Sequence, residues 1–149
     1  MDYSYKQVSS SETGLLRDLL VVFAEAFGEP QTYLAAVPGE GYLQALLGKR
    51  HFIALVALAG RETVGGLVAY ELDKFEQERS EIYIYDLAVK KSHRRRGVAT
   101  RLINALRGIA RERKAWVIIV QADYGDTPAI RLYESLGKKE NVYNFDIPV

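Results

Sequence analysis

The spacing of hydrophobic residues along the chain predicts ten elements of secondary structure. Apolar residues recur three or four positions apart, as in helices, in residues 15–27, 42–47, 98–110 and 129–136. Apolar runs or alternation typical of strands occur in residues 3–8, 51–59, 63–72, 82–89, 116–122 and 142–147. The resulting order, β-α-α-β-β-β-α-β-α-β, predicts an α/β protein with one mixed sheet and helices on both faces.

Two local patterns refine this order. A very short link joins residues 51–59 to the next strand, which predicts an antiparallel hairpin in which Gly65 and Gly66 mark a bulge or a close approach of backbones. Residues 116–122 are nearly all apolar, as expected of a strand buried on both faces. The strand, helix, strand order of residues 82–122 therefore predicts a parallel crossover.

Composition limits the class of protein. A chain of 149 residues fits a single domain, residues 1–149, that buries one core. The absence of cysteine excludes a disulfide framework and a cysteine nucleophile, and no metal site is predicted. No apolar run approaches the ~20 residues needed to cross a bilayer, and the N-terminus lacks the pattern of a secretory signal. A cytoplasmic protein with no membrane partner is expected.

The formal net charge of +1 hides an uneven distribution. Residues 90–114 contain ten Lys or Arg and one acid, whereas the rest of the chain contains ten Lys or Arg and eighteen acids. The basic segment is expected to attract a polyanion and the acidic remainder a cation. Nucleic acid is disfavoured as that polyanion, because the basic segment has no interleaved aromatic residues.

The turn from Arg94 to Ala99 is a candidate anion site. It follows a strand and opens a helix, and the N–H groups of a first helical turn have no partners within the helix. They also carry the positive end of the helix dipole, and Gly97 permits a ligand to approach closely. With one glycine, the turn matches neither the P-loop nor the dinucleotide pattern. The alternative is a solvated basic turn without a ligand.

Two motifs together resemble the GNAT superfamily of acetyl-CoA-dependent N-acetyltransferases. Arg94-x-x-Gly97-x-Ala99 is similar to its pyrophosphate-binding turn, and residues 129–137, Ala-x-x-Leu-Tyr-x-x-Leu-Gly, are similar to its later helix. The resemblance covers essentially the whole chain. It implies the GNAT fold and an enzyme that transfers acetyl from acetyl-CoA.

Longer blocks resemble one group of these enzymes, the class I aminoglycoside 3-N-acetyltransferases of the gentamicin resistance type. These blocks are residues 75–77, 79–89, 120–126 with Pro128 and Ala129, and 144–147. The N-terminal third matches less densely, and in GNAT enzymes residues equivalent to 31–50 shape the acceptor pocket. The aminoglycosides that the protein accepts therefore stay open.

The resemblance also implies site residues. Those expected to bind acetyl-CoA are Leu87, Ala88, Val89, Arg94, Arg95, Arg96, Gly97, Val98, Ala99, Thr100, Asp126, Ala129 and Tyr133. Those expected to bind the acceptor are Glu76, Tyr83, Tyr85, Asp123 and Asp146.

Two residues are predicted to be catalytic. Asp86 is an acid on an otherwise apolar strand, and a carboxylate can remove the proton of the attacking amine. It could instead be a structural aspartate bonded to a helix terminus, in which case Tyr83, Asp123 or Asp126 would be candidates for the base. Tyr133 is expected near the coenzyme sulfur as the acid, or else it is an ordinary helix tyrosine with a surface hydroxyl.

Three functions are compatible with the sequence. Acetylation of an aminoglycoside is the first, acetylation of a polyamine or protein amine is the second, and a non-catalytic acyl-CoA sensor is the third. Kinetic order is open, as is the assembly. The apolar strand expected at residues 142–147 favours a homodimer, because free strand edges can pair between subunits.

Overall fold

The structure, a computed structural model, describes all residues from Met1 to Val149. The strands are β1 (Ser4–Gln7), β2 (Phe52–Ala59), β3 (Glu62–Asp73), β4 (Ser80–Val89) and β5 (Val117–Val120). The helices are α1 (Thr13–Phe27), α2 (Pro30–Leu34), α3 (Glu40–Leu47), α4 (Val98–Glu112) and α5 (Thr127–Glu134). No helix combines the length and the apolar character needed to span a bilayer.

The chain forms two compact units, Met1–Ile119 and Val120–Val149. The first contains β1 to β4, most of β5 and helices α1 to α4, and the second begins at the last residue of β5 and contains α5. The single domain predicted for residues 1–149 stays a prediction.

The five strands follow one another in the sheet in the order β1-β2-β3-β4-β5. The pairs β1/β2, β2/β3 and β3/β4 are antiparallel, which confirms the predicted hairpin. Helices pack on the sheet and the sheet is mixed, which confirms the predicted fold class.

Helix α1 and the sheet share one core. A stripe of apolar residues along α1 is buried because its members lie three or four positions apart and so share one face. Gly66 is required where this helix crosses β3: a Cβ there would overlap the side chain of Leu19 and lie 2.5 Å from the carbonyl oxygen of Leu55. The predicted close approach is therefore confirmed. The buried residues of this core are Val8, Leu16, Leu19, Val22, Phe23, Leu43, Phe52, Ala54, Val56 and Ala88.

Strand β4 contains a bulge. Val68 pairs with Asp86 and Ala69 pairs with Ile84, so Tyr85 is an extra residue without a partner on β3. One extra residue reverses which side chains face which side of the sheet. Ile84 and Asp86 therefore face opposite sides of the sheet, although they are two positions apart.

The chain after β5 differs from the prediction. Residues 142–147 form no strand, and Val142, Tyr143, Phe145 and Ile147 are exposed. A strand requires hydrogen bonds to a neighbouring strand, and the chain supplies none to this segment, so apolar alternation alone was insufficient. The homodimer that was inferred from this strand stays a prediction.

Two other elements differ in extent. Strand β5 covers only Val117–Val120 and is half-buried, not buried on both faces as predicted, because it lies at the end of the sheet and has one pairing edge free. The unpredicted helix α2 (Pro30–Leu34) follows α1 directly. Pro30 occupies the first turn of this helix, where proline is tolerated because the first N–H groups have no partner within the helix.

A buried carboxylate, Glu71, ties several elements together. Its Oε2 accepts a hydrogen bond from Ser80 Oγ at 2.7 Å, and its Oε1 accepts one from Arg113 Nη1 at 2.9 Å. Arg50 Nη1 lies 3.4 Å from the same Oε1. Burial alone would raise the pKa of Glu71, but these hydrogen bonds and the two guanidinium charges outweigh burial and hold the pKa below its usual value.

Replacement of Glu71 by Gln is expected to lower the free energy of unfolding by about 3 kcal/mol, because breaking a buried ion pair leaves the other charge without compensation. A fall in melting temperature of about 6–12 °C corresponds to this loss. Because the folded-state pKa is depressed, the stabilisation is complete above the unfolded-state pKa and is lost as the pH falls through the folded-state value. The difference between wild type and variant should therefore shrink in acid.

A matched control is Glu62→Gln, which removes the exposed pair between Glu62 and Lys90. This variant should melt close to wild type, since exposed ion pairs contribute little. Equal melting temperatures for wild type and the Glu71 variant in thermal melts at neutral pH would contradict the proposed importance of the buried network.

Candidate active site

The turn before α4 has the backbone of an anion site. Arg95 and Gly97 both adopt positive φ angles, of 61° and 75°. Gly97 is the N-cap residue of α4, no side chain caps the helix, and its first turn contains no acid. The first N–H groups of α4 therefore have no partner within the helix and carry the positive end of its dipole. A Cβ at Gly97 would have no atom of the chain within 4 Å, so the space beside this backbone is open.

Basic side chains surround this turn. Arg94 donates from Nε to the carbonyl oxygen of Val89 at 3.0 Å, which ties the turn to the end of β4. Arg94 also lines a cavity of about 270 Å³ together with Lys90, Lys91 and the acid Glu25 of α1. The open backbone and the concentrated positive charge fit a pyrophosphate. The pyrophosphate and the 3′-phosphate are the most highly charged parts of coenzyme A.

A second feature, a cluster of tyrosines around Asp86, lies on the α1 side of the sheet. Tyr70 pairs with Tyr83, and Val68 pairs with Asp86, so the bulge brings Tyr83 and Asp86 to one face despite their odd spacing. The ring centroid of Tyr85 is 6.2 Å from that of Tyr70 and 5.8 Å from that of Tyr83. Three tyrosine rings from two strands therefore accompany the carboxylate.

The Asp86 carboxylate is held by a hydroxyl group. Tyr33 of α2 donates its hydroxyl hydrogen bond to Asp86 Oδ1 at 3.0 Å. Burial raises the pKa of Asp86, the hydrogen bond from Tyr33 lowers it, and the charge of Glu29 raises it further, with a net rise. Burial and the nearby Asp86 charge also raise the pKa of Tyr33, so its hydroxyl stays protonated and donates. A carboxyl group with a raised pKa is a stronger base when ionised, which suits proton removal near neutral pH.

The second unit contains the predicted acid. Asp126 is the N-cap residue of α5 and accepts a hydrogen bond from the Ala129 N–H at 3.3 Å, and Pro128 lies in the first turn. Tyr133 follows one turn later and is half-buried. Burial, and to a lesser extent the charge of Asp126, raises the pKa of Tyr133 to about 12. Its hydroxyl is therefore a persistent hydrogen-bond donor at neutral pH.

A family model described as the Acetyltransferase (GNAT) family matches residues 16–138, most of the chain. The chain belongs to the GNAT acetyltransferase family. It is accordingly an enzyme that transfers acetyl groups. No curated protein matches the chain.

Solved structures resemble the protein along its whole length. An aminoglycoside acetyltransferase from an uncultured soil metagenomic sample is 54% identical, with a TM-score of 0.98 over 100% of this chain and 99% of that chain. Another from such a sample, in complex with sisomicin, is 28% identical, with a TM-score of 0.92 over 99% and 96% of the two chains. AAC(6′)-Iy, in complex with a bisubstrate analogue containing CoA, is 18% identical with a TM-score of 0.78 over 100% of both chains, and this likeness shows the fold alone.

In this GNAT protein the residues that were predicted from the sequence fall into separate groups. Asp86, Tyr83 and Tyr85 lie together on β4 as described. The predicted coenzyme-binding residues of the first unit, Leu87 to Val89 and Arg94 to Thr100, form the end of β4, the turn and the first turn of α4. Val98 is only 2% exposed, so its side chain belongs to the core and its backbone alone is available to a ligand.

The other predicted residues are not brought to Asp86 by any described contact. Glu76 lies in the β3–β4 loop and pairs with Lys74 at 3.3 Å. Asp123 and Asp146 belong to the second unit and are exposed. Asp126 and Ala129 form the N-cap of α5, which gives both a local structural role. Their predicted contacts with ligands stay predictions.

Tyr33 and Tyr70 contact the Asp86 cluster but are not among the site residues predicted from the sequence. Tyr33 is 53 residues from Asp86 along the chain, and its helix was not predicted. Tyr70 was read only as part of a strand. The predicted antiparallel sheet could have indicated Tyr70, because the β4 residue that pairs with Tyr70 lies beside it on the same face of the sheet. The bulge shifts the pairing of β3 with β4 by one residue, however, and the sequence does not indicate this shift.

Proposed function

We propose that the protein transfers the acetyl group of acetyl-CoA to the 3-amino group of an aminoglycoside. The observation that carries the proposal is the spacing of the two features on one stretch of chain. Asp86 lies three residues before Val89, about 10 Å along an extended strand, and the candidate anion-binding turn follows after a short 3-10 turn at Lys91–His93. A coenzyme whose pyrophosphate binds at Gly97 can therefore extend along the end of β4 and present its thioester near Asp86.

The chemistry of the tyrosine cluster around Asp86 suits a cationic acceptor. An aminoglycoside carries several ammonium groups, which bind carboxylates and the faces of aromatic rings. Asp86 forms no ion pair with the chain, and its hydrogen-bond partner is a neutral hydroxyl. An acceptor ammonium would supply the positive charge at this carboxylate. The whole-length similarity to an aminoglycoside acetyltransferase supports this class of acceptor.

In the proposed mechanism, Asp86 removes one proton from the acceptor ammonium, directly or through a water molecule, because an ammonium has no lone pair for attack. The freed amine forms the new C–N bond at the thioester carbonyl, and the C–S bond breaks. The nitrogen, which is positively charged after the attack, loses a second proton as the amide forms, and that proton balances the one that the CoA sulfur gains. Tyr133 donates a hydrogen bond or a proton to the departing sulfur. Arg94 and the α4 N-terminus hold the donor in place so that the reacting atoms stay aligned.

Turnover of acetyl-CoA with gentamicin, spermidine and a lysine peptide tests the proposed function. Rapid turnover with gentamicin only, and a product acetylated at the 3-amino group by NMR, is expected. Gentamicin already acetylated at the 3-amino group should be inert, whereas an aminoglycoside blocked only at the 6′-amino group should still react. Turnover of the 3-N-acetylated drug would refute the regiospecificity, and preference for spermidine or the peptide would refute the acceptor class.

Replacement of Tyr133 by Phe is expected to lower kcat with gentamicin by about 10²-fold. This is the lower end of the range for acid catalysis, because a hydroxyl with a raised pKa donates a hydrogen bond more readily than a proton. The affinity for CoA should stay close to wild type, since the ring is retained. Isothermal titration with CoA and steady-state kinetics on the same preparation measure both quantities.

Tyr143→Phe, which removes an exposed hydroxyl from the same unit, serves as the control. It should leave kcat unchanged. An unchanged kcat for the Tyr133 variant as well would remove Tyr133 from the proposed mechanism.

A further inference from the structure

Tyr33 connects helix α2 to the Asp86 carboxylate. The five-residue helix α2 carries Tyr33, and the hydroxyl reaches β4 to donate to Asp86 Oδ1 at 3.0 Å. The other carboxylate oxygen, Oδ2, accepts no hydrogen bond from the chain. One oxygen of Asp86 is therefore held by Tyr33, and the other keeps its capacity to accept a hydrogen bond.

The ring of Tyr33 is fixed by packing that does not depend on this hydrogen bond. Its centroid lies 5.9 Å from that of Phe23 and 5.8 Å from that of Phe27, both on α1. Phe23 is 2% exposed and belongs to the core. The core thus sets the position of the ring, and the ring sets the position of the hydroxyl group. These tilted contacts involve the ring and not the hydroxyl, so Tyr33→Phe retains the groups that make them.

We propose that Tyr33 is a positioning residue that holds the Asp86 carboxylate by one oxygen and directs the other towards the acceptor amine. This inference rests on the proposed role of Asp86 as the base. A hydrogen bond to one oxygen removes a rotational freedom of the carboxylate, so that fewer of its orientations are unproductive when the amine binds. Tyr33 itself touches neither the amine nor the donor in this proposal.

The charged and titratable groups around Asp86 come from each neighbouring element. Tyr33 lies on α2, Glu29 precedes that helix, Tyr70 lies on β3, and Tyr83 and Tyr85 lie on β4 itself. Burial and Glu29 favour the protonated form of Asp86, and among these groups Tyr33 favours the ionised form. Loss of the Tyr33 hydroxyl should therefore raise the pKa of Asp86, and the base should become active only at higher pH.

The test is the dependence of kcat/KM on pH for Tyr33→Phe with gentamicin and acetyl-CoA. The acidic limb of the profile should move to higher pH, and kcat/KM at pH 6 should fall about 10-fold, as expected for a hydrogen bond to a charged group. The difference from wild type should narrow as the pH rises. A uniform loss at every pH with an unmoved limb would overturn the proposal, since it would indicate a merely structural role.

Tyr3→Phe is the matched control, because it removes a tyrosine hydroxyl that is bonded to His93 Nδ1 at 2.9 Å, away from Asp86. Its acidic limb should coincide with that of wild type. In the Asp86→Asn background, Tyr33→Phe should cause no further movement of the profile, because the group that it acts upon is absent. A movement that persists in this double variant would overturn the proposal.

Failure of the inference is distinguishable from failure of the proposed function. If Asp86→Asn abolishes the acidic limb but Tyr33→Phe leaves it in place, the base is correct and the positioning role is wrong. If Asp86→Asn retains the wild-type limb, the proposed base is wrong and the role of Tyr33 falls with it. If gentamicin is not acetylated, the proposed acceptor is wrong.

Discussion

Replacement of Asp86 by Asn is expected to lower kcat with gentamicin by about 10² to 10⁴-fold at neutral pH, the usual contribution of a general base. The residual rate should rise steadily with pH, because the fraction of free amine rises and no enzymatic base is needed for it. In the wild type, by contrast, activity should be lost as the pH falls through the pKa of Asp86. Because burial raises that pKa, this acidic limb should lie above the usual range of an aspartate.

The Asp86 variant should fold normally. Ionised Asp86 is disfavoured by its burial, and the oxygen of an asparagine amide can still accept the Tyr33 hydrogen bond. Its melting temperature should therefore equal or exceed that of wild type. The control is Asp73→Asn, which makes the same change at the exposed end of β3 and should leave kcat unaltered. A near-normal rate for the Asp86 variant across the pH range would place the base elsewhere.

Local signals in the sequence sufficed for the fold class and for part of the site. The period of apolar residues located α1 and α4, and the glycines of β3 indicated a close approach that the Leu19 side chain explains. The anion-binding turn was predictable because its features, a basic run, a glycine and a helix start, are contiguous. Asp86 was noticeable because an acid is rare on an apolar strand.

Interactions between distant segments were not predictable in this way. The bulge at Tyr85 depends on how β3 and β4 pair, and no single residue of either strand indicates it. The ion pair of Glu71 with Arg113 joins residues 42 positions apart, and no local pattern around either residue indicates the other. Residues 142–147 show the opposite case. Their alternation is typical of a strand, but no strand of the chain pairs with them.

Replacement of Gly97 by Asp is expected to abolish binding of CoA. The new carboxylate would lie at the N-terminus of α4, beside the N–H groups that are proposed to hold the pyrophosphate. Two unit charges of like sign about 4 Å apart at an effective dielectric constant of about 20 repel by roughly 4 kcal/mol, a ~10³-fold loss of affinity. Isothermal titration with CoA measures the loss. Thermal melts should stay cooperative, because aspartate tolerates left-handed backbone better than most residues.

Two further variants separate charge from backbone strain at Gly97. Gly60→Asp makes the same substitution at a turn with φ of 62° and no atom of the chain near its Cβ, so it reproduces the strain away from α4 and should bind CoA normally. Gly97→Asn adds a side chain of equal size without charge and should lose clearly less affinity than Gly97→Asp. Equal losses for the two Gly97 variants would attribute the effect to bulk. Wild-type affinity in Gly97→Asp would refute the pyrophosphate site, because a carboxylate and a pyrophosphate cannot occupy the same helix N-terminus without mutual repulsion.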